Sequence, residues 1–174
     1  DDGKFLFYTK AGGVTRDVSK AERREVGHAQ PDFSLGWSNY LKFGTHLDAS
    51  IAMRAVVGFD VLNVTRLVFS NPSDLPTLNV LEEALDEYDR GLTSSPILSD
   101  YYLEDGTFLK IDNVTVGYNF GLSKSKYLKG FRIYVAGSNL LTLTRYKGLD
   151  PELSYGGVEF GRDQYDVYPK TRSI

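Results

Sequence analysis

The 174-residue sequence contains no cysteine. That excludes disulfide staples, thiolate zinc sites and thiol nucleophiles within it. Histidine is scarce: His28 and His46 leave a His-based metal site or a Ser-His-Asp triad poorly supplied. There is no excess of positive charge. Lys and Arg number 20 against 23 Asp and Glu, a formal net charge of −3, which argues against a polybasic nucleic-acid surface. No glycine-rich phosphate loop leads from a strand into a helix, so nucleotide binding has no support. No uncharged run approaches the ~18 residues of a membrane helix. This excludes a helical anchor but not a transmembrane β-barrel, whose strands alternate and escape hydropathy windows. The chain begins at Asp1 without an initiator methionine or a visible signal peptide. It is therefore expected to be a processed product or an internal piece of a longer protein.

What is present favours strands. Hydrophobic residues make up 41% and charged residues 25%, a folded composition. Tyr (12), Phe (10) and Gly (17) suit strands and turns. From Phe33 to Phe43 the odd positions are apolar apart from Asn39, and the even ones are mostly small or polar. A tight Gly44-Thr45-His46 turn follows. From Leu47 to Phe59 every odd position is apolar again, which predicts an antiparallel hairpin. Leu62, Arg66, Leu67 and Phe69 suggest a short helix or irregular turn. Helical spacing of Val80, Leu81, Ala84, Leu85 and Tyr88 predicts an amphipathic helix over 77–89, its apolar stripe packed as core beneath a loop. Val114 to Phe120 alternate in the opposite phase to Leu109 and Ile111, which predicts a β-bulge between Lys110 and Asn113. Phe131 to Leu143 complete a second hairpin.

The strands are long. Globular strands run roughly 5–6 residues, whereas about 9–11 are needed to cross a bilayer at a tilt. Ten steps from Phe33 to Phe43 at ~3.4 Å, tilted ~45°, rise about 24 Å, close to the expected apolar band. Short connections at 44–46 and 121–130 alternate with long ones at 60–107 and 146–170. Phe43, Phe120 and Phe131 lie beside the short turns, where an aromatic girdle belongs. A soluble β-sandwich with long strands has the same alternation.

The string Ser99-Asp100-Tyr101-Tyr102-Leu103-Glu104-Asp105-Gly106-Thr107-Phe108-Leu109-Lys110-Ile111-Asp112-Asn113-Val114-Thr115-Val116-Gly117-Tyr118-Asn119-Phe120 resembles the C-terminal region of the SusC family of TonB-dependent outer-membrane transporters. The run Arg132 to Thr144 is similar to the family's following strand. Tyr146-Lys147-Gly148-Leu149-Asp150-Pro151-Glu152 resembles the segment after it, and Tyr168-Pro169-Lys170-Thr171-Arg172 the approach to its last strand. Upstream, Gln30 to Gly36 and Asn63-Val64-Thr65-Arg66 are similar to further family strings, whereas residues 1–26 depart from the pattern.

The resemblance implies an all-β fold: the last strands of a 22-stranded antiparallel transmembrane β-barrel with long extracellular loops. It divides the chain into a loop (1–30), a hairpin (31–59), an extracellular loop with a helix (60–106), a hairpin (107–144), a second extracellular loop (145–170) and the start of the final strand (171–174). The implied parent sits in the bacterial outer membrane and imports glycans, peptides or other nutrient oligomers. Its implied partners are the rest of its own barrel and plug, a SusD-like surface lipoprotein as lid, TonB through an N-terminal region absent here, and outer-membrane lipid. Neither nucleic acid, cofactor nor metal is expected, and no catalytic residue.

Tyr101, Tyr102, Tyr146 and Tyr155 are the candidates to stack on a substrate from the loops; girdle or loop packing is the alternative for each. Asn63 and Arg66 are expected to fix loop conformation. Asp150 and Glu152 could form a carboxylate pair or metal ligands, or simply an Asp-Pro turn. Two other readings stay open: a soluble β-sandwich carbohydrate-binding module, and a glycosidase-like enzyme whose carboxylates the sequence does not single out.

Overall fold

Residues 3–75, 77–121, 127–128, 130–152, 161–163, 165 and 167–174 are described by the computed structural model. In chain order they form β1 (Phe7–Tyr8), β2 (Val14–Thr15), β3 (Phe33–Phe43), β4 (Leu47–Val57), β5 (Asp60–Leu62), α1 (Val64–Phe69), α2 (Glu82–Asp89), β6 (Leu103–Asp105), β7 (Phe108–Gly121) and β8 (Gly130–Thr144). Residues Gln30–Phe59, Asp105–Glu152 and Tyr168–Ile174 make one unit; Asp1–Ala29, Asp60–Glu104 and Leu153–Val167 make another.

The first unit is a four-stranded antiparallel meander, order β3-β4-β7-β8. β3 and β4 pair over their whole length, Phe33 opposite Val57 and Phe43 opposite Leu47. Gly44 turns the corner at φ +63°, a conformation that favours glycine. The anticipated bulge is present. Ala52 pairs with Asn113 and Met53 with Ile111, so Asp112 has no partner on β4. The extra residue changes the phase of β7 and brings Leu109 and Ile111 onto the same face as Val114, Val116, Tyr118 and Phe120. β8 keeps step through a second irregularity, where Asn139 adopts φ +54°. Beyond β8, Ser173 forms an antiparallel bridge with Ser138, each backbone N–H donating to the other's carbonyl at 2.9 and 3.1 Å.

The two sheet faces therefore differ in character. Phe33, Leu35, Trp37, Leu41, Phe43, Ile133, Val135 and Leu143 stand exposed on one side. At its turn end, Phe120 stacks on Phe131 with centroids 4.5 Å apart, and His46 stacks on Tyr118 at 5.6 Å. Asn39 is the polar exception on this side. The opposite side carries Asp48, Arg54, Lys110, Asn119 and Arg132, which pair with one another or with the chain beyond β8.

The second unit has little regular structure: the β1–β2 ribbon, a β5–β6 pair and two short helices. The predicted helix over 77–89 is corrected to 82–89. Leu81 is held extended because its N–H donates to the Phe69 carbonyl at 3.0 Å, so α2 cannot start earlier. Its orientation is also corrected. Ala84 and Glu87 are buried, while Leu85 and Tyr88 are 39% and 50% exposed. Of the predicted stripe Ala84 packs inward while Leu85 and Tyr88 face out; of the acidic residues Glu87 is buried and Glu83 half-buried, while Glu82 and Asp86 are exposed.

Candidate functional site

The reason that Glu83 and Glu87, rather than Leu85 and Tyr88, turn inward is Arg66. It sits in the first turns of α1, whose start is fixed by side chains. Asn63 Oδ1 accepts from the Arg66 N–H at 2.8 Å, and Asp163 Oδ1 accepts from the Val64 and Thr65 N–H groups. These occupy donors that a helix start otherwise leaves unpaired. The Arg66 guanidinium is buried, and a buried cation requires anionic partners. Glu87 accepts from Nη2 at 2.5 Å; Glu104 and Glu83 lie 3.5 and 3.7 Å away, and the Tyr101 carbonyl accepts from Nη1 at 3.1 Å. The guanidinium also lies over the Tyr101 ring at 4.6 Å and the Tyr102 ring at 5.4 Å. Tyr101 donates its hydroxyl proton to Glu87 at 2.6 Å. Burial pushes the Tyr102 hydroxyl up to about 12, with the Glu87 charge adding and Arg66 opposing. Leaving this cation unpaired costs more than exposing Leu85 and Tyr88, so α2 turns Glu83 and Glu87 inward.

A second ionic cluster lies on the polar side of the sheet. Lys110 is fully buried, its ammonium held by both Asp150 oxygens at 2.8 and 2.9 Å and by Glu152 at 2.5 Å. Arg54 reaches the bulge residue Asp112 with two bonds of 3.2 Å and also donates to Glu152. Lys170 contacts the same Glu152 carboxylate at 3.2 Å. Burial acts to raise the Glu152 pKa. Hydrogen bonds from Arg54 and Lys110 outweigh it and hold the carboxyl at about 2. Asp150 and Glu152 thus anchor the chain after β8 to cations of β4 and β7.

Comparison with known proteins identifies the architecture. No family model matches the chain. All of it aligns with TonB-dependent receptor P3 of Formosa agariphila at 30% identity over 189 residues, covering 18% of that protein. Over 62 residues, 34% of the chain, it is 42% identical to TonB-dependent receptor SusC of Bacteroides thetaiotaomicron. The RagAB peptide importer in its closed-closed state superposes on 98% of the chain, with a TM-score of 0.78 and 25% identity. The chain is a segment of the SusC family of TonB-dependent receptors. It spans about a fifth of the length of the relatives it matches. This SusC-family segment belongs to the bacterial outer membrane, and its sheet is a piece of a β-barrel wall.

The structure separates the four tyrosines. Tyr102, 1% exposed, and Tyr146 are both buried, so neither ring is open to a ligand here. Tyr101 is 40% exposed, although one ring face is taken by Arg66. Tyr155 lies outside the described residues. Asn63 and Arg66 organise their loop, as the reading of that motif expected. Lys110 and Glu83 were missed. A lysine amid apolar strand residues and acids inside an amphipathic pattern were the available signals.

Proposed function

We propose that this chain supplies wall and extracellular loops of a TonB-dependent importer of glycans or other nutrient oligomers. The apolar face meets lipid and the polar face lines the lumen. The long loops, residues 60–106 and 145–170, are extracellular, where a SusD-like lipoprotein closes over the substrate. TonB acts through an N-terminal region outside this chain, and 22 strands with a plug complete the molecule. The substrate is an oligosaccharide or a peptide, and of the candidate tyrosines among the described residues Tyr101 is the one with an exposed ring to meet it.

The observation that carries this reading is the sheet itself. Strands of 11 to 15 residues present a side that is apolar but for Asn39 and an opposite side with ion pairs. Lipid on one side and water on the other account for both. The likeness to an importer adds support. The test is uptake of labelled oligosaccharides and peptides by cells with and without the full-length protein, with affinity purification from detergent-extracted outer membranes. Selective loss of one class, and a co-purifying lipoprotein, are expected. Unchanged uptake of both classes, or recovery of the protein from a detergent-free soluble fraction, would overturn the reading.

A further inference from the structure

The most regular string of the sequence, Val114 to Phe120, contains a glycine in mid-strand, where glycine weakens pairing. Gly117 is opposite Asp48 on β4 and Tyr134 on β8. Arg132, on β8, lays its side chain across β7 at this position and reaches Asp48, two strands away. Nε and Nη2 donate to the two Asp48 oxygens at 3.2 and 2.5 Å. Asn119 donates to Asp48 at 2.8 Å and to the His46 carbonyl at 3.2 Å. A Cβ on residue 117 would lie 2.4 Å from Arg132 Nη2 and 2.7 Å from Cζ. Only glycine leaves the channel through which the arginine passes.

We propose that Asp48, Gly117 and Arg132 form a register lock for β4, β7 and β8. The alternation of faces forbids a slip by one residue, because it would turn every side chain over. It does not forbid a slip by two, which keeps each residue on its face. Nor does a tight turn set the β4–β7 register, since residues 58–107 intervene. A two-residue slip moves Asp48 by about 6.8 Å along the strand, out of hydrogen-bond reach. To follow Asp48 the arginine would have to cross β7 at Thr115 or Asn119, where a side chain blocks the crossing. The polar side thus discriminates against the misalignment that the apolar side tolerates.

The absence of cysteine in this chain gives a direct test. In the full-length protein assembled in the outer membrane, Ser50→Cys with Thr115→Cys reports the native register. Ser50→Cys with Asn113→Cys and Ala49→Cys with Tyr118→Cys report slips by two in either direction. In the native register those last pairs are diagonal, about 7–8 Å apart and too far for a disulfide. The native pair alone should oxidise in the otherwise unaltered protein. With Asp48→Ala or Gly117→Val, a slipped pair should form in at least about a tenth of assembled molecules. Should those variants fail to assemble, Arg132→Lys, which loses the two-pronged contact, is read in the same way. Native pairing alone in every assembled variant overturns the proposal.

Discussion

Neutralising Glu152 should loosen the chain that follows β8. The carboxyl is held at about 2 against an ordinary 4.5, because hydrogen bonds from Arg54 and Lys110 outweigh its burial. That difference corresponds to ~3 kcal/mol favouring the anchored, ionised state. The sign follows from the depressed pKa. The contribution is fully present above about pH 4.5 and is lost as pH falls from there towards 2. Glu152→Gln removes the charge at neutral pH, leaving Lys110 with Asp150 and Arg54 with Asp112. The assay is hydrogen exchange of the full-length protein in detergent, corrected for intrinsic pH dependence and read at residues 146–152 and 168–172. Protection there should fall by up to ~100-fold in Glu152→Gln at pH 7, with the rest of the sheet unchanged. The unsubstituted protein should lose that protection between pH 4.5 and 2, and the variant should lose less over the same range. Exchange within about threefold of the parent, or matching pH profiles, would show that Glu152 does not anchor this segment.

Further outcomes are expected elsewhere. Ile51→Arg, on the apolar face near mid-strand, should cost roughly 2–4 kcal/mol and lower recovery in the outer membrane, while Ser50→Arg on the other face is milder; equal recovery counts against the barrel. Arg66→Met should destabilise the loop unit by about 3–5 kcal/mol, because Glu83, Glu87 and Glu104 lose their cation, and proteolysis within 60–104 reads this out. Asn63→Ala should cost ~1 kcal/mol through loss of the α1 cap, seen in the same digest. If the Tyr101 ring stacks on substrate, Tyr101→Phe should preserve uptake and Tyr101→Ala reduce it about 2- to 10-fold; equal uptake removes Tyr101 from consideration.

The sheet was legible because one face of each strand meets an apolar environment and the other does not, so burial is written at period two. Even the bulge at Asp112 showed, as the break in phase between Ile111 and Val114. The loop unit was far less legible. Its helix has a good apolar stripe, and hydrophobic burial alone would turn that stripe inward. What decides its orientation is a guanidinium sixteen residues or more away along the chain, and no local pattern encodes that partnership. The strands β5 and β6 were missed for a related reason: three residues are too few for a period to appear. The tyrosines were read by type, whereas burial sorted them. The Lys110 cluster joins residues forty positions apart and leaves only an unexpected lysine in a strand as its trace.

The inward placing of Glu83 and Glu87 on α2 has a consequence for how this protein can change over time. Arg66 constrains Glu83 and Glu87, and Ala84 completes the buried side. The residues turned outward, Glu82, Leu85, Asp86, Tyr88 and Asp89, answer to none of those contacts. A loop organised in this way can exchange its outer chemistry from one lineage to the next without rebuilding its interior.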